Sequence, residues 1–448
     1  MTMSLPLMLS MIMEALYNVV DSLFISHVSE NALTALSLAF PIQLLVVAAS
    51  VGTGVGINAA LSRLLGEKNQ RGVDRVASNG IFLAIFTYMV FLIFGLFFTR
   101  TYFSSQTADP DICAQGTAYL SVCMVFSFGS VGQITFQRLL QSTGRTTLSM
   151  VSQLVGAAIN IVLDPILIFG LCGFRAMGTT GAAAATVIGQ IVAMVIAIAF
   201  NVTRNKEIRF SFRGFRPHGK TIAEIYRVGA PAIVMQALNS LMAFGVNLIL
   251  ISLSSTAVAA FGVYIKVQNF VFMPAFGVNN GVIAIAAFNY GRRDKARIDR
   301  TIRFGMLYAA IIMLIGTVLF QFLAAPILTL FDASADLMGF GVQAMRIISL
   351  SYLFVAFTLI AQGVYQALGN GSYSLIITLM RVVVLLLPVL WIFARVSGLQ
   401  HIWWAFLIAE AGSAVVGAFL LAHIYRQRVL PLACNENSAE TKETATRP

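Results

Sequence analysis

Apolar residues in this chain come in long blocks separated by short polar stretches. A helix needs about 20 mostly apolar residues to cross roughly 30 Å of hydrocarbon. Blocks of that kind lie at 4–27, 33–62, 77–103, 116–141, 149–172 and 178–203, then at 228–253, 257–289, 302–330, 340–368, 372–396 and 401–425. They predict an all-α integral membrane protein with twelve transmembrane helices.

The pattern also repeats. A shift of 225 residues without gaps pairs Pro6 with Pro231, Ala32 with Ala257, Ala35 with Ala260 and Gln43 with Gln268. It pairs Gly52 with Gly277, Gly56 with Gly281, Gly66 with Gly291, and Asp74-Arg75 with Asp299-Arg300. Further on, Gln137 meets Gln362, Gln141 meets Gln366, Gly144 meets Gly369 and Ser149 meets Ser374. One constant offset over this distance implies two pseudo-symmetric six-helix bundles inserted in the same direction. Parallel repeats are common in transporters, with the substrate path between halves. The expected division is an N-terminal bundle at 1–203, a basic linker at 204–227, a C-terminal bundle at 228–426 and a polar tail at 427–448.

Composition agrees. Hydrophobic residues make up 58% of the chain, charged residues 10%, and mean hydropathy is +0.85. A soluble domain carries charge on about a quarter of its residues. The net charge of +11 does not point to nucleic acid, because the cations occupy loops between apolar blocks. Arg63, Lys68, Arg71 and Arg75 follow block two. Arg204, Lys206, Arg209, Arg213, Arg216, Lys220 and Arg227 follow block six, and Arg292, Arg293, Lys295, Arg297, Arg300 and Arg303 follow block eight. The opposite loops hold chiefly Arg100, Arg175 and Arg395. By the positive-inside rule both termini are cytoplasmic. The chain enters its first apolar block almost at once, so no cleavable leader is expected. Cys113, Cys123, Cys172 and Cys434 lack metal-ligand spacing and read as packing residues. The stretch 435–448 is polar and expected to be disordered.

Ionisable residues within a bilayer are costly and therefore candidates for function. The first half offers Glu14, Asp21 and Asp164; the second offers Lys266, Arg346, Arg381 and Glu410. Asp21 and Asp164 each precede the outer end of an outward-running block by about eight residues. Thr186 lies a similar distance into the inward-running sixth, so all three sit roughly 12 Å below the outer surface at 1.5 Å per residue. Asn160 precedes Asp164 by one helical turn and shares its face, and Pro165 frees backbone carbonyl oxygens nearby. Two carboxylates, a carboxamide and a hydroxyl would suit Na⁺ or, equally, a proton. Alternatively, Asp21 and Asp164 only bond to neighbouring helices. Glu410 and Lys266 lie at comparable depth and could pair, mainly as a structural contact. Arg138, Arg346 and Arg381 are expected to snorkel towards a membrane face. Polar side chains at Gln43, Gln236, Asn239, Gln268, Asn280, Gln362, Tyr365 and Gln366 are candidates for a substrate cavity.

No Walker loop, H-E-x-x-H helix or G-x-S-x-G elbow occurs. His27, His218, His401 and His423 are widely scattered. Neither an enzyme nor a receptor is favoured, and no organic cofactor or metal is expected beyond possible Na⁺ at Asp21, Asn160 and Asp164.

Several segments together resemble the multidrug and toxic compound extrusion (MATE) family, most closely its bacterial MepA-like branch. They are A-L-Y-N-V-V-D-S-L-F-I at 15–25, G-T-G-V-G-I-N at 52–58, F-Q-R-L-L-Q-S-T-G at 136–144, N-I-V-L-D-P-I-L-I-F-G at 160–170 and M-G-T-T-G-A-A-A-A-T at 177–186. In the second half they are F-G-V-N-N-G at 276–281, F-N-Y-G at 288–291 and Y-Q-A-L-G-N at 365–370. The resemblance implies two bundles around a V-shaped cavity in a bacterial cytoplasmic membrane. It implies an antiporter, working as a monomer, that exports cationic or amphipathic drugs in exchange for Na⁺ or H⁺ by alternating access. It also assigns the coupling site to Asp21, Asn160, Asp164 and Thr186. Where another branch has acidic residues on helices 7 and 10, this chain has Gln236 and Gln362–Gln366, so no cation site is expected there. The alternative is a flippase for lipid-linked precursors or polysaccharide from the same superfamily, which would need a larger cationic cavity.

Overall fold

A computed structural model describes residues 3–26, 30–173, 175–210, 216–329 and 335–432. Side chains at 17–19, 21–23, 25–26, 30, 33, 335–336 and 400 lie outside that description, as do His27, Arg213, Cys434 and the 435–448 tail. The chain forms two compact units: Met1–Leu61 with Asn69–Ile233, and Ser62–Lys68 with Val234–Pro448.

The first unit contains α1 (Ser4–Ser26), most of α2 (Glu30–Gly66), α3 (Gln70–Phe97), a short α4 (Thr99–Gln106), α5 (Pro110–Val125), α6 (Phe128–Ser142), α7 (Thr146–Phe169), α8 (Gly178–Thr203) and the start of α9 (Gly219–Ile251). The second contains the rest of α9, then α10 (Ser255–Gly291), α11 (Lys295–Thr329), α12 (Ala335–Ser349), α13 (Tyr352–Ala367), α14 (Gly371–Leu379), α15 (Leu387–Val396) and α16 (Trp404–Ile424). A π-helical stretch, Met380–Leu386, joins α14 to α15, and a second, Tyr425–Val429, extends α16.

Among the described residues, nine continuous helical segments are long and apolar enough to span a membrane, and two bent pairs supply one span each. With α1 these make twelve segments. Large apolar side chains stand far out of the protein, including Phe97, Phe322, Phe419 and Val396 at 71–79% exposure. Lipid can solvate such surface, and the helices bond their own backbone.

Two expected straight spans are bent. α5 meets α6 at 41°, and α12 meets α13 at 51°. At both breaks the ladder tightens to three-residue steps. Ser127 N donates to the Met124 carbonyl at 3.2 Å, and Ser351 N to the Ile348 carbonyl at 3.0 Å. The Ser351 hydroxyl also donates to the Ile348 carbonyl at 2.7 Å, a local bond that competes with the helical one and bends helices.

The repeat persists in the backbone. The starts of α2 and α10, of α3 and α11, of α5 and α12, and of α7 and α14 each lie 225 residues apart. Lys68 and Arg293, also 225 apart, have φ of 57° and 60°; Gly144 and Gly369 have φ of 80° and 78°. The latter pair close turns in which Arg145 N reaches the Leu140 carbonyl and Asn370 N the Tyr365 carbonyl, both at 2.8 Å. A left-handed residue at such a turn favours glycine, which explains why Gly144 and Gly369 match in sequence.

Asp74 and Asp299 recur as anchors, each within its own unit. Asp74 accepts from Gln70 Nε2 at 2.9 Å and from Arg209 N at 3.0 Å, tying the chain after α8 to the start of α3. Asp299 accepts from Lys295 Nζ at 2.9 Å and from the Tyr425 hydroxyl at 2.7 Å, tying the extension of α16 to α11.

Candidate ion site in the first unit

α7 buries one face and exposes the other. Ser149, Ser152, Gln153, Gly156, Asn160 and Asp164 are buried, whereas Val162 is 60% exposed. α8 meets it with small residues, Gly181, Ala182, Ala185, Gly189 and Ala193, all buried. A Cβ on Gly156 would stand 2.7 Å from the Gly189 carbonyl oxygen, and one on Gly189 would stand 2.7 Å from that of Gly156. Both glycines are therefore required for this close helix contact.

That contact brings together three of the four expected residues. Asn160 Nδ2 donates to Asp164 Oδ1 at 3.2 Å and approaches Thr186 Oγ1 at 3.4 Å. Asp164 is wholly buried and Asn160 is 3% exposed. Asn160 Oδ1 is buried without a hydrogen-bond partner, although buried polar atoms normally find one. Pro165, inside α7, has no N–H to continue the backbone ladder. Beside Asn160 and Thr186 is a cavity of about 20 Å³, bounded also by Gln133, Gln153 and Gln190, large enough for one water. The arrangement offers hard oxygen donors with room for a small occupant. The fourth residue, Asp21, lies on α1, and its side chain is outside the description.

Other charges differ from expectation. Glu410 pairs with Arg381 at 3.3 Å, not with Lys266, which is exposed. Arg381 also donates to Asn239 Oδ1 at 2.9 Å, so it turns inward where snorkelling was expected. Arg138 likewise is 5% exposed, donates to Gln141 Oε1 at 3.1 Å and interacts electrostatically with Glu14. Arg346 is exposed, and its Nε donates to the Gln321 carbonyl at 3.1 Å. Sequence reasoning missed these pairings because helical periodicity gives the face of a residue, not its partner on another helix.

The candidate cavity residues are scattered in role. Gln43 donates to the Tyr119 hydroxyl at 3.1 Å, and Gln362 approaches Thr378 Oγ1 at 3.4 Å. Tyr365 is completely buried and donates to the Gly417 carbonyl at 2.6 Å. Asn280 and Gln366 are buried, whereas Gln236 and Gln268 are partly exposed.

The family model described as MatE matches residues 6–166 and 231–392, one stretch in each half. The chain belongs to the MatE family. Its relatives include the multidrug export protein MepA of Staphylococcus saprophyticus, 26% identical over 430 residues, covering 96% of this chain and 94% of that protein. MepA of Staphylococcus haemolyticus is 26% identical over 422 residues, covering 94% and 92%. Among solved structures, an outward-facing multidrug resistance MATE transporter of the MOP superfamily superposes with a TM-score of 0.90 at 26% identity, covering 96% of this chain and 95% of the other. A MOP superfamily transporter from Pyrococcus furiosus, described as having a binding pocket of reversed polarity, gives 0.86 at 25% identity, covering 96% and 95%. As a MatE protein the chain is a multi-pass bacterial membrane protein of a transporter family.

Proposed function

We propose that this MatE protein exports cationic or amphipathic small molecules across the cytoplasmic membrane in exchange for Na⁺ or a proton, with both termini in the cytoplasm. The observation that carries the reading is the cluster of buried Asn160 and Asp164 with half-buried Thr186, the unpartnered Asn160 Oδ1 lying beside a water-sized cavity. Asp21 is the residue of α1 that we assign to it from the sequence as the second carboxylate. Ion binding there favours one packing of α7 against α8 and so biases the drug-releasing state, a coupling of about 1–3 kcal/mol. Gln236 and Gln268, partly exposed, are the side chains we assign to drug contact. The flippase alternative draws no support from an acidic cluster of this kind.

The experiment is efflux of ethidium from proteoliposomes under separately imposed Na⁺ and proton gradients. Movement under one gradient, abolished by Asp164→Asn, is expected and names the ion. Full efflux by Asp164→Asn would overturn the assignment of the site, and no movement under either gradient would overturn drug antiport.

A further inference from the structure

Between α6 and α7 runs a ladder of buried amides and hydroxyls that the cation site alone does not use. On α6, Gln133, Gln137 and Gln141 are spaced four residues apart on one face; on α7 they meet Ser149, Ser152 and Gln153. All six are 9% exposed or less. Gln133 Nε2 and Gln137 Nε2 both donate to Gln153 Oε1, at 2.5 and 2.9 Å. Gln137 Nε2 also donates to Ser152 Oγ at 3.2 Å, and Gln141 Nε2 to Ser149 Oγ at 3.0 Å. The upper rungs, Gln133 and Gln153, bound the same cavity as Asn160 and Thr186. The lower rungs end beside the Gly144 turn. There Arg145 approaches Glu207 at 4.0 Å, and Gln70 donates to the Glu207 carbonyl at 2.8 Å, so this end of the unit also holds the basic segments.

We propose that this ladder is the path by which the coupling ion passes between the Asp164 site and the cytoplasmic end of the first unit, with Gln153 as its gate. The proposal rests on the functional reading above. Amide and hydroxyl oxygens are hard donors that can take over a cation's hydration shell, and the cavity, large enough for one water, adjoins both the top rung and Asn160. Gln153 Oε1, holding two donors at once, must release at least one before it can face an ion. Arg138 donates to Gln141 at the lowest rung and is balanced by Glu14, so the path does not end on an uncompensated positive charge.

The ladder could instead be glue between two helices, but the internal repeat separates the readings. At a shift of 225 the second unit keeps the lower rungs as Gln362, Gln366 and Ser374. Its upper rungs become Thr358, Ile377 and Thr378, the position of Asn160 becomes Leu385, and no Asp or Glu occurs anywhere in 371–396. The amides that extend upward occur in the copy that has a carboxylate to reach.

The test uses the full chain in proteoliposomes, reading gradient-driven ethidium efflux, together with ethidium affinity of the purified protein. Gln153→Leu is expected to slow efflux about tenfold while affinity stays within about twofold, a size typical of altered coupling. Gln153→Ser, smaller but polar and open to water, is expected to restore most of the rate. Gln133→Leu should resemble Gln153→Leu, and Thr378→Val, at the equivalent position in the second unit, should leave the rate unchanged. If both leucine variants match the unmodified protein while Asp164→Asn is inactive, the path is wrong and the site reading stands. If Gln153→Ser is as slow as Gln153→Leu, or if ethidium affinity falls in step with rate, the residue packs and does not conduct. Full efflux by Asp164→Asn would remove the site reading, and the path with it.

Discussion

Arg381 and Glu410 form an ion pair at 3.3 Å inside the second unit, with side chains 19% and 13% exposed. Arg381 Nε and Glu410 Oε2 remain buried without hydrogen-bond partners. Burying two charges costs about what their attraction returns, but stranding one of them costs about 3–5 kcal/mol. Glu410→Leu alone is therefore expected to lower the thermal midpoint in detergent strongly, and Arg381→Met combined with it to recover most of the loss. Equal loss in the single and double variants would mean that the pair contributes by packing alone.

The proposed cation cluster should respond in graded fashion. Thr186→Val removes the hydroxyl 3.4 Å from Asn160 and keeps the side-chain shape. A hydrogen bond of that kind is worth about 0.5–1.5 kcal/mol, so the half-saturating cation concentration should rise about three- to tenfold. Asn160→Leu, which removes the donor to Asp164 and the free oxygen together, should exceed that. Titration of efflux rate against the coupling ion would decide the order.

Helix contact at the proposed cation site makes a separate prediction. Gly156→Ala places a Cβ 2.7 Å from both the Gly189 carbonyl oxygen and Ala193 Cβ, and overpacking of this kind costs about 1–3 kcal/mol. Gly189→Ala should cost a similar amount and also push on Asn160, whose Cβ would be 3.1 Å away. Gly219→Ala, with nothing within 4 Å, should be neutral. Thermal unfolding of the three purified variants ranks them.

The anchor at the start of α11 can be weighed by one atom. Tyr425→Phe deletes the hydroxyl that donates to Asp299 at 2.7 Å. A hydrogen bond to a charged acceptor contributes about 1.5–3 kcal/mol. Amide exchange should accelerate over the π-helical extension Tyr425–Val429 and not over α13. Unchanged exchange at the extension would show that the anchor does not hold it.

Much of this was legible in the chain. Asn160 and Asp164 could be placed on one face because their spacing is a helical turn, and Thr186 could be placed near them because depth is set by rise per residue. The constant offset between halves survived into the turns at Gly144 and Gly369, where only a left-handed backbone closes the bend. The pairing of Arg381 with Glu410 was not legible. It depends on how two helices are rotated about their own axes, and one of them is π-helical at that point. The bends before α6 and α13 escaped notice too, because serine is common in membrane helices and does not by itself mark a break; only at the second does its hydroxyl, that of Ser351, bond back along the chain.

Met380–Leu386 carries a phase change. A π turn holds about one residue more than an α turn, and one residue is about 100° of helix rotation. The starts of α7 and α14 are 225 residues apart, but those of α8 and α16 are 226 apart, as one inserted residue between them would require. Relative to an unbroken α-helix from Gly371, the π stretch turns the side chains from Leu387 onward by about 100°. The fifth helix of the second half is thus no longer interchangeable with that of the first, and removing one residue from 382–386 would restore the α-helical phase of Leu387–Val396.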